Sequence, residues 1–476
     1  MRVPFIVLLA SLSLSTAWAP GANPDRWHDE TYRPQFHFSA DKGWLNDPNG
    51  LVFYKGEYHL FFQHNPNGTN WVNDLSWGHA VSPDLLHWKY LPEAVPPTPL
   101  PDGKMAGSWS GTGFVDFNNS GQFQTGTDKP IIVAWTATNL GQCLAFSNDA
   151  GRTFTKFDGN PVIPMAPNRK GDWDRDPDVF WYAPGKHWVL VMSVTGKGYV
   201  FHTSTDLRHW TTKSVLPRMF ECPNCFELPV DGNAGNRKWV IWDASSKYLI
   251  GSFDGERFTP ESGPFVLDRG KNYYAAQTWS DAPDGRRIGI GWMRDGKFPG
   301  MPFNQQMGIP FELLLRTIPG EGLRLTKYPV KEVESLRYEP KHWENQTMEP
   351  GKNLLQGIEG DTFDVEADFA IEKTTQFRFT LRDTSITYAD GRLTCGNVSV
   401  PVQPIDGHLK IRILLDRTSV EVYANDGAVS LTNAILPSPT DRKMSLASER
   451  GAIAIRSISV WRMHSVWNDA QRPSDK

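Results

Sequence analysis

The chain has 476 residues, 39% of them hydrophobic and 21% charged, and its 53 acidic against 49 basic side chains leave a formal net charge of -4. That composition excludes a largely disordered chain, and without a cluster of Lys or Arg it carries no electrostatic footprint for nucleic acid or anionic lipid. The 19 Trp, 13 Tyr and 26 Phe favour half-buried strands, and the same rings are what sugar faces stack against.

The N-terminus reads as a secretory signal. Met1-Arg2 is followed by an apolar run from Val3 to Leu14 and then by the small-residue stretch Ser15-Thr-Ala-Trp-Ala19. About 12 apolar residues cannot cross a bilayer that needs roughly 20. Residues 1–19 are therefore expected to be removed, leaving a secreted protein, extracellular or periplasmic, with no membrane span.

From Phe36 onward, short β-branched and aromatic runs alternate with Gly, Pro, Asn and Asp, and no helical period persists beyond a turn or two. Leu51-Val-Phe-Tyr54, Tyr58-His-Leu-Phe-Phe62, Ile131-Ile-Val-Ala-Trp135, Trp188-Val-Leu-Val-Met192, Trp239-Val-Ile-Trp242 and Ile288-Gly-Ile-Gly-Trp292 read as strands. A loose repeat runs through them: Ser82-Pro-Asp-Leu-Leu-His-Trp88, Ser147-Asn-Asp-Ala-Gly-Arg-Thr-Phe154, Ser204-Thr-Asp-Leu-Arg-His-Trp210 and Ser252-Phe-Asp-Gly-Glu-Arg-Phe258. A Ser-x-Asp turn followed by an aromatic, at a spacing of about 50 to 65 residues, suits the four-stranded blades of a β-propeller. The fold class is therefore all-β, and the reading is a five-bladed propeller over residues 30–330.

Past Pro329 the composition turns polar, and residues 331–349 read as a linker. Beyond it, Phe363-Asp-Val-Glu-Ala-Asp-Phe369, Phe377-Arg-Phe-Thr-Leu381, Leu409-Lys-Ile-Arg-Ile413 and Val420-Glu-Val-Tyr423 alternate at period two, which predicts a β-sandwich over residues 350–465. Four cysteines, Cys143, Cys222, Cys225 and Cys395, are too few to carry such a fold. Cys222-Pro-Asn-Cys225 lacks the second CxxC or HxxxH of a zinc site, so a local disulfide or two packed thiols is expected.

Three carboxylates stand between Pro and apolar or aromatic neighbours: Asp47 in Trp44-Leu-Asn-Asp-Pro-Asn-Gly50, Asp176 in Trp173-Asp-Arg-Asp-Pro-Asp-Val179, and Glu221 in Phe220-Glu-Cys-Pro223. Such flanks suit a rigid cleft where a carboxyl's proton affinity can be tuned. Separations of about 130 and 45 residues would set them on the first, third and fourth blades, whose inner strands converge on the ring axis. Two carboxylates at close range, one nucleophilic and one protonated, are what a retaining glycosidase needs.

At these residues the sequence resembles the secreted β-fructosidases of glycoside hydrolase family 32, a family of levanases, exo-inulinases and invertases. Trp44-Leu-Asn-Asp-Pro-Asn-Gly50, Phe61-Phe-Gln-His-Asn-Pro66, Trp77-Gly-His-Ala-Val-Ser82, Trp109-Ser-Gly111, Arg175-Asp-Pro177 and Glu221-Cys-Pro223 follow the family's order, and Asp416-Arg-Thr-Ser-Val-Glu-Val-Tyr423 is similar to its C-terminal signature. The resemblance implies Asp47 as nucleophile, Glu221 as acid and then base, and Asp176 as transition-state stabiliser. It implies a fructose pocket lined by Asn46, Gln63, Trp71, Trp109, Ser110, Arg175 and Trp292. Thr112 stands where many members carry Ser, and Phe311 where many carry Arg.

The expected activity is release of terminal β-fructose from levan, inulin or sucrose, with fructan or sucrose as substrate, no nucleic-acid or membrane partner, and no metal or organic cofactor. Fructosyl transfer and endo attack are alternatives within the family. A five-bladed glycosidase acting on arabinan or xylan, and a carbohydrate-binding propeller without catalysis, are the alternatives outside it.

Overall fold

The first of the expected blades is an antiparallel meander of Gly43–Tyr54, Glu57–Asn65, Ser76–Ser82 and Lys89–Val95. The computed structural model to which it belongs describes residues 27–166, 174–372 and 375–467. The expected signal at residues 1–19 lies outside the described residues. Among those residues the propeller continues through three more such units, led by Ser108–Val115, Arg175–Tyr182 and Asn224–Val230. The fifth is Tyr273–Thr278, Ile288–Met293, Phe311–Ile318 and Gly322–Pro329, joined to the fourth through the parallel pair Val230 and Leu315.

The repeated Ser-x-Asp segments are the turns between the third and fourth strands of the first four units. Asp84 accepts from the backbone N–H of Leu86 and His87, and Asp206 from that of Arg208 and His209. The Ser82 and Ser204 hydroxyls in turn donate to those two carboxylates. Each carboxylate thus replaces backbone partners that a tight turn cannot supply. The trailing aromatics Trp88 and Phe258 are buried. The fifth unit has no such repeat because its last two strands meet in a short hairpin, in which Glu321 N–H donates to Ile318 O.

The ring closes between the first and fifth units, where Phe53 N–H donates to Ser280 O and Ser280 N–H to Leu51 O. Near the axis the inner strands pass close enough to demand glycine. A Cβ on Gly113 would stand 2.3 Å from Gly50 O, so a larger residue would push the first two inner strands apart.

Two sheets form the sandwich, one of six strands and one of five. Its core is the alternating set that includes Phe363, Val365, Phe369, Phe377, Phe379, Leu409, Ile411 and Ile413. The linker expected at residues 331–349 is corrected by the structure. Lys331–Leu336 is a 3-10 turn, and Arg337–Met348 is a twelve-residue strand paired with Ile453–Met463 at the edge of the six-stranded sheet. It looked like a linker because an edge strand lined with charge, here largely exposed, resists pairing with other chains and has no apolar period to read.

Propeller and sandwich share one core, in which Phe36, Phe38, Leu60, Trp88 and Trp279 pack with Leu414, Tyr423, Met463 and Trp467. A buried polar clamp reinforces it. Asp416 accepts from the backbone N–H of Gln35, Phe36 and His37 and from His37 Nδ1 at 2.8 Å, while Lys327 Nζ lies 2.7 Å from Asp268. The C-terminal signature is thus an interface between the two units, and it secures the segment that leads into Asp47.

Candidate active site

At one end of the ring the inner strands depart from regular pairing. Register shifts fall between Leu45 and Pro48, Ser108 and Gly111, Arg175 and Asp178, and Tyr274 and Gln277. These intervals contain or are bounded by Asp47, Ser110, Asp176 and Tyr274. A bulge re-aims a side chain that regular alternation would send elsewhere. Asp176, Glu221, Cys222 and Ala275 also have φ of 61°, 54°, 42° and 49°, a left-handed region that non-glycine residues avoid and that persists where surrounding structure enforces it.

These irregularities bring the three acids together. Cys222 Sγ lies 3.7 Å from Asp47 Oδ2 and 3.7 Å from Asp176 Oδ2, so the two carboxylates flank one buried thiol. Cys222 N–H donates to Asp176 Oδ2 at 3.1 Å. Arg175 connects the other pair, with Nη2 2.6 Å from Glu221 Oε1 and Nε 3.7 Å from Asp176 Oδ2. Glu221 is held from behind, its N–H donating to Ser193 Oγ and its carbonyl accepting from the Tyr199 hydroxyl.

Asp47 ends a directed chain of hydrogen bonds. Trp44 Nε1 donates to Asn46 Oδ1 at 2.8 Å, Asn46 Nδ2 to Gln63 Oε1 at 2.7 Å, Gln63 Nε2 to Ser110 Oγ at 2.6 Å, and Ser110 Oγ to Asp47 Oδ2 at 2.6 Å. Asn46 Nδ2 also reaches Asp47 Oδ1 at 3.2 Å, so both carboxylate oxygens are held. Asn46 spends both amide protons in this way, and its orientation is set by the Trp44 donor.

Burial holds the Asp47 carboxyl above its usual range, against the hydrogen bonds from Ser110 and Asn46. Burial likewise pushes Asp176 up to about 7, with Arg175 opposing and the charges of Glu221 and Asp47 adding to the rise. It also raises the Cys222 thiol, which stays neutral between its acidic neighbours. Burial would lower Arg175, but the charge of Asp176 and the hydrogen bond to Glu221 outweigh it and keep the guanidinium protonated.

Aromatic side chains adjoin this network, Trp109 preceding Ser110 in the chain and Trp292 meeting Tyr274, whose hydroxyl donates to Glu221. Trp71, 48% exposed, meets Trp109 edge-on at 6.3 Å. Trp292 lies 6.3 Å from both Trp44 and Tyr274, and its Nε1 donates to Gln305 Oε1. The structure thus groups Asp47, Asp176, Glu221, Asn46, Gln63, Ser110 and Arg175 through direct contacts, brings in Trp292 through Trp44 and Tyr274, and pairs Trp71 with Trp109. Among the described residues no group of three or more His, Cys, Asp or Glu side chains is arranged to hold a metal ion.

Two participants escape a sequence reading. Tyr274, whose hydroxyl donates to Glu221 Oε2 at 2.5 Å, sits in an ordinary strand-like run with no motif. Cys222 carries a signal in its CxxC spacing, for which a local disulfide or two packed thiols is the expectation. All four cysteines are free and buried, which excludes the disulfide, and Cys225 N–H donates to Asp178, away from the acids.

Sequence comparison gives these features a context. The profile described as "Glycosyl hydrolases family 32 N-terminal domain" matches residues 37–329, and "Glycosyl hydrolases family 32 C terminal" matches residues 332–462. A levanase of Bacillus subtilis (strain 168) is 37% identical, with the alignment covering 98% of this chain and 75% of that protein. An extracellular exo-inulinase of Aspergillus awamori is 30% identical over 93% of this chain and 96% of its own length. A crystal structure of exo-inulinase from Aspergillus awamori superposes with a TM-score of 0.83 at 29% identity, covering 92% of this chain and 100% of that one.

Proposed function

The chain belongs to glycosyl hydrolase family 32 and is a glycoside hydrolase, and we propose that it releases terminal β-D-fructose from fructans such as levan and inulin, and from sucrose, through a covalent fructosyl-enzyme. The observation that carries this reading is the meeting of Asp47, Asp176 and Glu221 around Cys222 and Arg175.

Asp47 is the nucleophile. Held on both oxygens by Ser110 and Asn46, it gives up little freedom when it attacks the anomeric carbon. Glu221 protonates the departing oxygen and then takes a proton from the water that resolves the intermediate. Asp176, beside Arg175, holds sugar hydroxyls as positive charge develops on the ring. Trp71, Trp109 and Trp292 supply apolar faces for the sugars, and Gln63 and Ser110 complete the wall behind the nucleophile.

Export is proposed from the N-terminal segment. Among the described residues no helix is long and apolar enough to cross a membrane.

Asp47→Ala and Glu221→Ala test the assignment. Each should lower kcat on sucrose by about three orders of magnitude or more, with the thermal midpoint nearly unchanged. Turnover within tenfold of wild type in either variant would remove that residue from its role.

A further inference from the structure

Glu221 carries one donor on each carboxylate oxygen: Arg175 Nη2 on Oε1 at 2.6 Å and the Tyr274 hydroxyl on Oε2 at 2.5 Å. The two donors differ in what they can do. A guanidinium only donates, so Arg175 facing Oε1 disfavours a proton on that oxygen, whereas a phenol can donate or accept. A carboxylic acid protonated on Oε1 still presents Oε2 as a carbonyl oxygen, and the phenol goes on donating to it. A proton on Oε1 therefore leaves the Tyr274 bond in place and requires Arg175 to turn away.

Tyr274 is also built in as firmly as the acids. It is the second residue of the strand Tyr273–Thr278 and bounds a register shift, the residue after it has φ of 49°, and Ala275 N–H donates to Ala244 O at 2.8 Å. Trp292 meets its ring edge-on at 6.3 Å, and the Arg294 guanidinium stands 4.7 Å from the ring centre. Arg175 has a second partner within reach, its Nε lying 3.7 Å from Asp176 Oδ2.

We propose that Tyr274 is the positioning residue for proton transfer: it anchors Oε2, making Oε1 the oxygen that gives and takes the proton, while Arg175 yields Oε1 when substrate arrives. This rests on Glu221 acting as acid and base. In the first step an Asp47 carboxylate oxygen bonds to the fructose anomeric carbon as the bond from that carbon to the glycosidic oxygen breaks, its electron pair going to the oxygen, which takes the proton from Oε1. In the second, water bonds to the anomeric carbon, its proton goes to Oε1, and the ester bond to Asp47 breaks with its electron pair returning to the carboxylate. The phenol keeps its own proton throughout. Burial, and then the hydrogen bond to Glu221, hold that phenol far above its ordinary range.

Tyr274→Phe removes one hydroxyl and keeps the ring. Its kcat/KM on sucrose should fall by about tenfold to a hundredfold, because Oε2 loses the bond that orients Glu221 for proton transfer. An aryl β-D-fructofuranoside with a nitrophenol leaving group departs without needing a proton, so on that substrate kcat/KM should stay within about threefold of wild type. Equal loss on both substrates would overturn the proposal. Glu221→Ala measured alongside separates the two ideas. If that variant still hydrolyses sucrose, the acid assignment itself fails; if it is inactive on sucrose while Tyr274→Phe behaves as wild type, only the role of Tyr274 falls.

Discussion

Ser110 Oγ donates to Asp47 Oδ2 at 2.6 Å while accepting from Gln63 Nε2 at the same distance. A hydroxyl has one proton, so this pair fixes the polarity of the whole chain from Trp44 to the carboxylate. Ser110→Ala leaves Asp47 with one fewer donor and should lower kcat/KM on sucrose by about tenfold to a hundredfold, the worth of a hydrogen bond to a charged group. Gln63→Glu should cost more, because an ionised side chain there takes the Ser110 proton away from Asp47. Steady-state kinetics of the two variants, ranked in the opposite order, would contradict the relay.

Asp176 links function to stability. Its proton is held to about 7 in the folded protein, whereas an unfolded Asp releases it near 3.8. For an acid raised in this way, the stabilisation is complete below the unfolded value and is lost as pH rises through the folded one. Asp176→Asn copies the protonated form at every pH. Its thermal midpoint should match wild type near pH 4 and exceed it by a few degrees at pH 8, while sucrose turnover falls by at least about a hundredfold. An Asn variant less stable than wild type at pH 8 would count against this account.

His37 gives the joint between the two units a pH dependence of the same sense but at higher pH. The ring is fully buried, with Nδ1 2.8 Å from Asp416 and Nε2 3.8 Å from Glu421, the latter an ion-pair distance too long for a hydrogen bond. Tyr423 donates to Glu421, and Lys327 lies nearby on Asp268. Burial would lower the imidazole, but the two carboxylates outweigh it and raise it to about 9. A base raised above its unfolded value of 6.5 stabilises fully below that value and loses the contribution as pH climbs through about 9, on the order of 3 kcal/mol in all. Urea titrations from pH 6 to 10 should show this decline in wild type and a flatter curve in His37→Gln.

Trp71 stands 48% exposed, with Trp109 as its aromatic neighbour. Trp71→Ala should leave stability within about 0.5 kcal/mol while raising KM for inulin or levan by up to about tenfold, the worth of one ring-face contact. Calorimetry together with saturation kinetics checks both halves. An unchanged KM on every substrate would remove Trp71 from the sugar path.

What could be read in the sequence was whatever local chemistry repeats or stands out. The Ser-x-Asp turns announced four units because each depends on the same carboxylate-capped geometry, and the fifth stayed silent because a short hairpin replaces that turn. Asp47, Asp176 and Glu221 stood out through their Pro and aromatic flanks. Tyr274 did not, because a bulge aims it and bulges leave no period to detect. Arg337–Met348 looked like a linker for a related reason: the charges that protect an exposed edge erase the alternation that marks a strand. In Cys222-Pro-Asn-Cys225 the spacing was legible but misleading, since backbone strain at Glu221 and Cys222 turns one thiol toward the acids and leaves the other elsewhere.

Incubation of the purified protein with levan, inulin and sucrose, with early products resolved over time by anion-exchange chromatography, tests the central claim most directly. Fructose as the sole early product from a polymer, absent in Asp47→Ala, is the predicted result. Early oligosaccharides would instead indicate internal cleavage or transfer, and no product from any of the three would contradict a β-fructosidase.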